Sequence, residues 1–496
     1  MVWNRNEADK RIRKHLTTVP ELDLNISLSE HFERVQKDRA AAKAIGRGSN
    51  GHALLVRCVH LYGVLLDFDD LVSDNGVETE ATHARVLTFL NAHFRVWDAI
   101  VDSEGATRVD YHGPRLHAIV TQPAADEPDR IAQAVALAHK LTLAAHRVGA
   151  EYGFPSRIRF GVDTGNCLAM STGRDHEQDI LYLGSPANHA AKLAEAESTE
   201  GIFLSDNAKL KLGEGDLRKT DQGTFELSED YIQQVANRYR FESLDRATEA
   251  VAADMENDPQ FNFFRPMPPL FKLKFADLMP SHSARIGASS LFADIDGFTA
   301  YVDNAINHGE AGVREAVKNI HVLREELNDV LQRDFGGKRV RFVGDCIQGL
   351  LAEGDAEDSP TQSVTSACMC ASGMRSSFSL AQEIVGGMDE LDLAVGVEYG
   401  QVPVTRIGKR GAESIRSAAG AAVIASERCQ KTLEGGGIVL GANALRWATS
   451  VVKENFQNYE NILSYSAAAD LLEMADSPVA STVQITREAR PHSELP

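Results

Sequence analysis

The chain has 496 residues, 43% hydrophobic and 25% charged, a composition that excludes a disordered, collagen-like or coiled-coil protein. Its length exceeds one comfortable core and implies two to four domains. With 51 Lys and Arg against 71 Asp and Glu the net charge is −20, so most of the surface repels nucleic-acid backbones, and an anionic small ligand must meet a few locally placed cations.

Residues 1–50 are polar and charged, with helical stretches at Ser29–Arg34 and Ala40–Ala44, and read as an arm that packs on something else. The start, MVWNRNEADKRIRKH, lacks the apolar core of a secretory signal, and no run approaches ~18 apolar residues, so no membrane span is expected. Residues 51–245 carry α/β patterning: helical apolar spacing over His83–Ile100, then alternation around a central glycine turn over Arg108–Val120. Residues 246–282 are dense in proline and read as a linker, which Phe261, Phe263 and Phe264 dock onto the body. A second α/β segment spans 283–470, with a helix over Ala311–Leu331 and a hairpin over Arg339–Leu351; the tail 471–496, ending PHSELP, is expected to be mobile. Six cysteines (58, 167, 346, 368, 370 and 429) are scattered without paired zinc-ligand spacing, and Cys368-Met-Cys370 reads as core packing. They point to a reducing cytoplasm.

An internal repeat organises the rest. Gly63-Val-Leu-Leu-Asp67-Phe-Asp69 matches Ser290-Leu-Phe-Ala-Asp294-Ile-Asp296 at an offset of 227. Gly105-Ala-Thr-Arg108-Val-Asp110-Tyr-His-Gly113 matches Gly336-Gly-Lys-Arg339-Val-Arg341-Phe-Val-Gly344 at 231. Phe160-Gly161 matches Val395-Gly396 at 235, and Gly184 and Gly201 match Gly420 and Gly437 at 236. Landmarks in one order with slowly drifting offsets mean two copies of one domain. Each copy orders its elements as strand, long helix, hairpin, helix, strand, helix, strand, an α+β fold similar to the ferredoxin-like βαββαβ core.

Phe292-Ala-Asp294-Ile-Asp296-Gly297-Phe298-Thr299, followed by Val343-Gly344-Asp345, resembles the class III nucleotidyl cyclases. That resemblance implies two tandem cyclase domains in an intramolecular pseudo-heterodimer. Each interface site of such a dimer takes metal ligands from one domain, and base and transition-state residues from the other. Cyclisation sends the ribose 3′-oxygen onto the α-phosphorus and expels pyrophosphate. The charge that develops calls for two divalent cations, Mn²⁺ or Mg²⁺, held by oxygen ligands. By resemblance these ligands are Asp294, Asp345 and the Ile295 carbonyl. The turn Asp296, Gly297, Phe298 and Thr299 opens a helix whose free N–H groups suit phosphate oxygens.

The first copy has Gly113-Pro114 where the second has Gly344-Asp345, so it lacks the second carboxylate. It keeps Asn188 and Lys192, i,i+4 on one helix face, where the family places an Asn that orients the ribose and an Arg that stabilises the transition state. The second copy has Ile424 in place of that Asn. One interface site is therefore expected to be complete and its opposite dead. Arg406, Lys409, Arg410 and Arg416 form a basic cluster, with Arg410 expected to bind phosphate. Where adenylate cyclases read adenine with a Lys and an Asp, this chain has Asp110 and Leu181, an acceptor and an apolar group, which disfavours adenine.

The segment Arg108–His117 also looks like the cyclases of bacterial Pycsar antiphage systems, which make cyclic CMP or cyclic UMP. The resulting expectation is a cytoplasmic pyrimidine cyclase, CTP favoured over UTP, whose product signals to a separate cyclic-nucleotide-sensing effector. No nucleic-acid or membrane partner is expected, and the assembly is a monomer with an internal pseudo-dimer or something larger. A guanylate cyclase is the alternative within the class, and a non-catalytic nucleotide sensor the alternative outside it.

Overall fold

The structure, a computed structural model, describes residues 2–23, 52–74, 76–123, 126–172, 179–213, 217–219, 225–239, 249, 260–354, 358–456 and 465–476. The helical stretches expected at Ser29–Arg34 and Ala40–Ala44 and the PHSELP terminus lie outside these residues. Helix α1 (Arg5–His15) opens on Asn4, whose side chain accepts from the amides of Asn6 and Glu7. Its apolar stripe, Ala8 and Ile12, is fully buried with Trp3 in the core of the second domain. Arg11 fixes the arm there through Glu326 (2.7 Å) and Asp334 (2.8 Å). Burial of a side chain such as Ile12 contributes about 1.5–3 kcal/mol, so the arm is tied to the half of the chain more distant in sequence.

After β1 (Glu21–Leu22), the first repeat runs β2 (His52–Leu65), α2 (Glu80–Ser103), β3 (Thr107–His112), β4 (Arg115–Val120), α3 (Glu127–Tyr152), β5 (Ile158–Thr172), β6 (Asp179–Leu183), α4 (Ser185–Glu195) and β7 (Gly201–Leu204). A reciprocal Thr79–Thr82 capping box starts α2, and Asp126 with Pro128 starts α3, which Gly153 ends in the left-handed conformation. The strands lie in the order β3-β4-β2-β5-β7, extended by β9 (Phe225–Leu227) and β8 (Leu217–Lys219). A short strand, β10 (Phe263–Phe264), leads into the second repeat and pairs with its first strand. That repeat runs β11 (Ser283–Asp296), α7 (Phe298–Asn307), α8 (Gly309–Asp329), β12 (Lys338–Val343), β13 (Cys346–Leu351), α9 (Pro360–Val385), β14 (Asp392–Ile407), β15 (Ile415–Ala418), α10 (Ala421–Lys431) and β16 (Gly437–Leu440). The labels α5 and α6 denote Asp206–Leu212 and Glu229–Arg238, which follow β7. Its sheet order, β12-β13-β11-β14 with β16 parallel to β14, reproduces the first. This is the class of fold expected.

Equivalent glycines share one backbone state in the two copies: Gly113 and Gly344 have φ of 52° and 59°, and Gly184 and Gly420 of 126° and 110°. Gly161 and Gly396 serve close approach. A Cβ there would lie 2.1 Å from the Ala190 and Ser426 carbonyl oxygens, so α4 and α10 rest directly on β5 and β14. The linker docks as its aromatics imply, Phe261 and Phe263 against the first core and Phe264 against the second. Helix α11 (Tyr465–Asp476) continues past residue 470 into the expected tail.

Candidate active site

Antiparallel pairing of β11 with β13 sets Ala293 opposite Ile347. The next residue on β11, Asp294, therefore meets Asp345 in the β12–β13 turn, where Gly344 supplies the left-handed corner. Burial raises the Asp294 carboxyl to about 6 against the pull of Lys431, and burial plus repulsion from Asp294 holds Asp345 well above the carboxylate range. Gln430 donates to Asp294 at 3.2 Å, and the Ile295 amide donates to Asp345. Two adjoining carboxyls that resist ionising side by side are an all-oxygen donor pair whose charge a hard divalent cation would balance, so the residues fit such an ion. Beyond them Gly297, at φ 79°, opens α7 without a side-chain cap, and its first-turn amides are left for an anionic ligand.

A cavity of about 1870 Å³ connects these groups to the first repeat. Asp294, Ile295, Asp345 and the turn Asp296–Thr299 line one side, and Asn188, Lys192, Asp110 and Leu181 the other. Asn188 and Lys192 have no side-chain partner among the described residues and remain available to a ligand. Of the basic cluster, Arg406, Lys409 and Arg416 line the cavity, whereas Arg410 is exposed and outside its lining. Lys409 is already paired with Asp102 across the interface and with Glu413 of its own repeat.

Three contacts were not readable from sequence. Asp303 on α7 caps α4 from the other domain: it accepts from the Ser185 amide at 2.9 Å and from the Ser185 hydroxyl. The helix bearing Asn188 and Lys192 is thus held by the helix that the Asp296–Thr299 turn opens. Glu78 does the same in reverse, accepting from the Ala421 amide at 2.8 Å to cap α10. Asp110 is not isolated either. Arg341, its counterpart in the other repeat, reaches both of its carboxylate oxygens at 3.2 and 3.3 Å.

At the opposite interface the counterpart groups are paired with other side chains. Asp67 is gripped by Arg157, at 2.6 Å to one guanidinium nitrogen and 3.2 Å to another. Arg428, the counterpart of Lys192, is paired with Asp69, and Ile424 packs against the first core. Between the two sites Arg115 binds Glu195 (2.6 Å) and Glu427 (3.0 Å), and Lys431 binds the same two carboxylates, which ties the C-terminal ends of α4 and α10 together.

Residues 61–240, the first repeat, match the adenylate and guanylate cyclase catalytic domain. A uridylate cyclase of a Rhizobium species is 38% identical, with 92% of each chain covered. A uridylate cyclase of Pseudomonas aeruginosa is 34% identical over 98% of this chain and 94% of its own. Among solved structures, a class III adenylyl cyclase-like ATP-binding protein from P. aeruginosa superposes with a TM-score of 0.85 at 32% identity, over 95% of this chain and all of that one.

Proposed function

Because the chain belongs to the class III nucleotide cyclases, with relatives 38% and 34% identical along nearly its whole length, we propose that it converts UTP to 3′,5′-cyclic UMP and pyrophosphate at the single composite site. It is a phosphorus–oxygen lyase of the pyrimidine nucleotide type. The observation that carries the reading is complementarity: Asp294 and Asp345 from one repeat share a cavity with Asn188 and Lys192 from the other, while at the opposite interface Asp67 and Arg428 are taken up in ion pairs with other side chains.

In this reading Asp294, Asp345 and the Ile295 carbonyl would hold two divalent cations, Mg²⁺ or Mn²⁺, which would supply positive charge to offset that of the phosphates. Asn188 orients the ribose so that its 3′-oxygen lies in line with the α-phosphorus. Lys192 faces the crowded phosphate, where a fixed cation is worth most as charge builds. The amides at the start of α7, with Arg406 and Arg416 in place of Arg410, take the remaining phosphate oxygens.

UTP replaces CTP as the favoured substrate for two reasons. The relatives named above are uridylate cyclases. Asp110 alone would repel the two uracil carbonyls, but Arg341 beside it offers a donor to one of them while Asp110 accepts from N3–H. Leu181 supplies an apolar wall, buried at the cavity edge. The resemblance of the Arg108–His117 segment extends the reading to a cytoplasmic antiphage enzyme whose product is a second messenger for a separate effector. Among the described residues no helix is long and apolar enough to cross a membrane.

Incubation of the purified chain with each of the four nucleoside triphosphates and Mn²⁺ or Mg²⁺, with products identified by mass, tests this. Cyclic UMP as the main product is expected. Cyclic CMP would overturn the uracil assignment alone, and cyclic GMP or cyclic AMP would overturn the pyrimidine reading.

A further inference from the structure

A second cluster lies behind the wall of the nucleotide cavity. On β2, Cys58 and His60 alternate onto one face, and pairing of Val56 with Cys167 on β5 brings the second thiol diagonally beside the first. The two sulfurs are 3.7 Å apart, and Cys58 Sγ lies 3.3 Å from His60 Nε2. All three ligand atoms fall within 4.8 Å of one another, and all three residues are fully buried. Four ligands around zinc, with Zn–S of about 2.3 Å and Zn–N of about 2.0 Å, stand about 3.8 Å apart for two sulfurs and about 3.5 Å for sulfur and nitrogen. The sulfur–sulfur and Cys58–His60 spacings are within about 0.2 Å of these values.

Two further observations point to a ligand. His60 Nδ1 lies 2.9 Å from His117 Nε2, the outer hydrogen bond that fixes the tautomer of a metal-binding imidazole. The Tyr182 hydroxyl, in a side chain 4% exposed, has no hydrogen-bond partner among the described residues and lies within electrostatic reach of both thiols. A buried phenol left without a partner is unfavourable unless something occupies the space it faces.

We propose that Cys58, Cys167 and His60 bind one zinc ion, with the Tyr182 oxygen or a water as fourth ligand. Loss of both thiol protons on binding gives two thiolates that cancel the ion's charge, and such a neutral centre tolerates full burial. Soft sulfur with imidazole selects zinc over the magnesium that suits the carboxylate site. The ion would tie β2 to β5. His117 and Tyr182, which line the nucleotide cavity, would supply both its entry path and its effect on the base-side wall. This inference does not depend on which nucleotide the cavity takes.

The test is metal content and cobalt spectroscopy on the full reduced chain. Protein purified without chelator should carry about one zinc per chain, and Co²⁺ in its place should give a thiolate-to-cobalt charge-transfer band. Cys58→Ser, Cys167→Ser and His60→Asn should each lower zinc affinity at least about tenfold, while Asp345→Asn keeps the ion. The wild-type readings stand even if a variant fails to fold. Wild-type protein with less than about a tenth of an equivalent of zinc and no cobalt band would overturn the site. So would a Cys58–Cys167 disulfide in the protein as isolated, or zinc retained by the cysteine variants but lost from Asp345→Asn.

Discussion

Asp345 and Asp67 occupy the two halves of the interface with opposite consequences. Asp345→Asn should lower turnover by about 10²-fold or more, because on the proposed assignment several kcal/mol of transition-state stabilisation depend on a cation at Asp345 and each 1.36 kcal/mol is tenfold. The same change removes repulsion from Asp294, so the cation-free variant should unfold at a temperature equal to or above wild type. Asp67→Ala should leave turnover within about threefold. It loses an ion pair whose Arg157 side chain is half exposed and screened by solvent. Turnover of both variants, with calorimetric melting of each, separates a metal ligand from a structural carboxylate. Unchanged activity in Asp345→Asn would sink the metal assignment. At the base-reading position, Asp110→Asn keeps an oxygen for Arg341 but adds a donor. It should shift the UTP-to-CTP preference by about tenfold or more while lowering the best turnover less, as measured by kcat/KM for each nucleotide.

Helices α4 and α10 each begin at a glycine and are capped in trans, by Asp303 and Glu78 respectively. Loss of a cap costs about 1 kcal/mol, so Asp303→Ala and Glu78→Ala should destabilise the chain comparably. Their catalytic effects should differ, since only α4 carries Asn188 and Lys192. Asp303→Ala should lower kcat about tenfold with little change in KM, and Asp303→Asn, which can still accept from Ser185, should restore most of it. Glu78→Ala should leave kcat near wild type. Equal losses of kcat in the two alanine variants would mean that the caps act through stability alone.

The two repeats meet around a charge cluster whose pH behaviour follows from its pKa shifts. Glu427 is held well below the usual Glu range, against its own burial, by Arg115, His112 and Lys431; Glu195 is lowered by Arg115 and Lys431. A carboxyl lowered in the folded state stabilises the protein fully above its unfolded value, and that contribution fades as pH falls through the folded value. The melting temperature should therefore fall on acidification below about 4.5, the ordinary Glu value. Glu427→Gln should lower the melting temperature near neutrality, because Arg115 and Lys431 then share Glu195 alone, and should flatten the acid limb. A melting curve as steep in the variant as in wild type would remove these carboxylates from the interface account.

What was legible beforehand divides along the same lines. The duplication, the element order and the meeting of Asp294 with Asp345 were readable because Asp294–Thr299 is a contiguous signal with a strand before it and a helix after it. Asn188 and Lys192 were readable as one helix face aligned with Ile424 and Arg428. Asp303, Arg341 and Gln430 were not, because each meets its partner only once two distant segments fold together; Asp303 and Ser185 are 118 residues apart. Helix α1 was passed over inside a polar arm, although Asn4 followed by Ala8 and Ile12 carries the cap and the stripe that form it.

The central claim is that two degenerate repeats make one working site per chain. Equilibrium titration of the full chain with 3′-deoxy-UTP, which lacks the attacking hydroxyl and cannot cyclise, measures this directly in the presence of Mn²⁺. The account predicts one molecule bound per chain, lost in Asp345→Asn and retained in Asp67→Ala. Two molecules per chain, or a stoichiometry halved by Asp67→Ala, would contradict it.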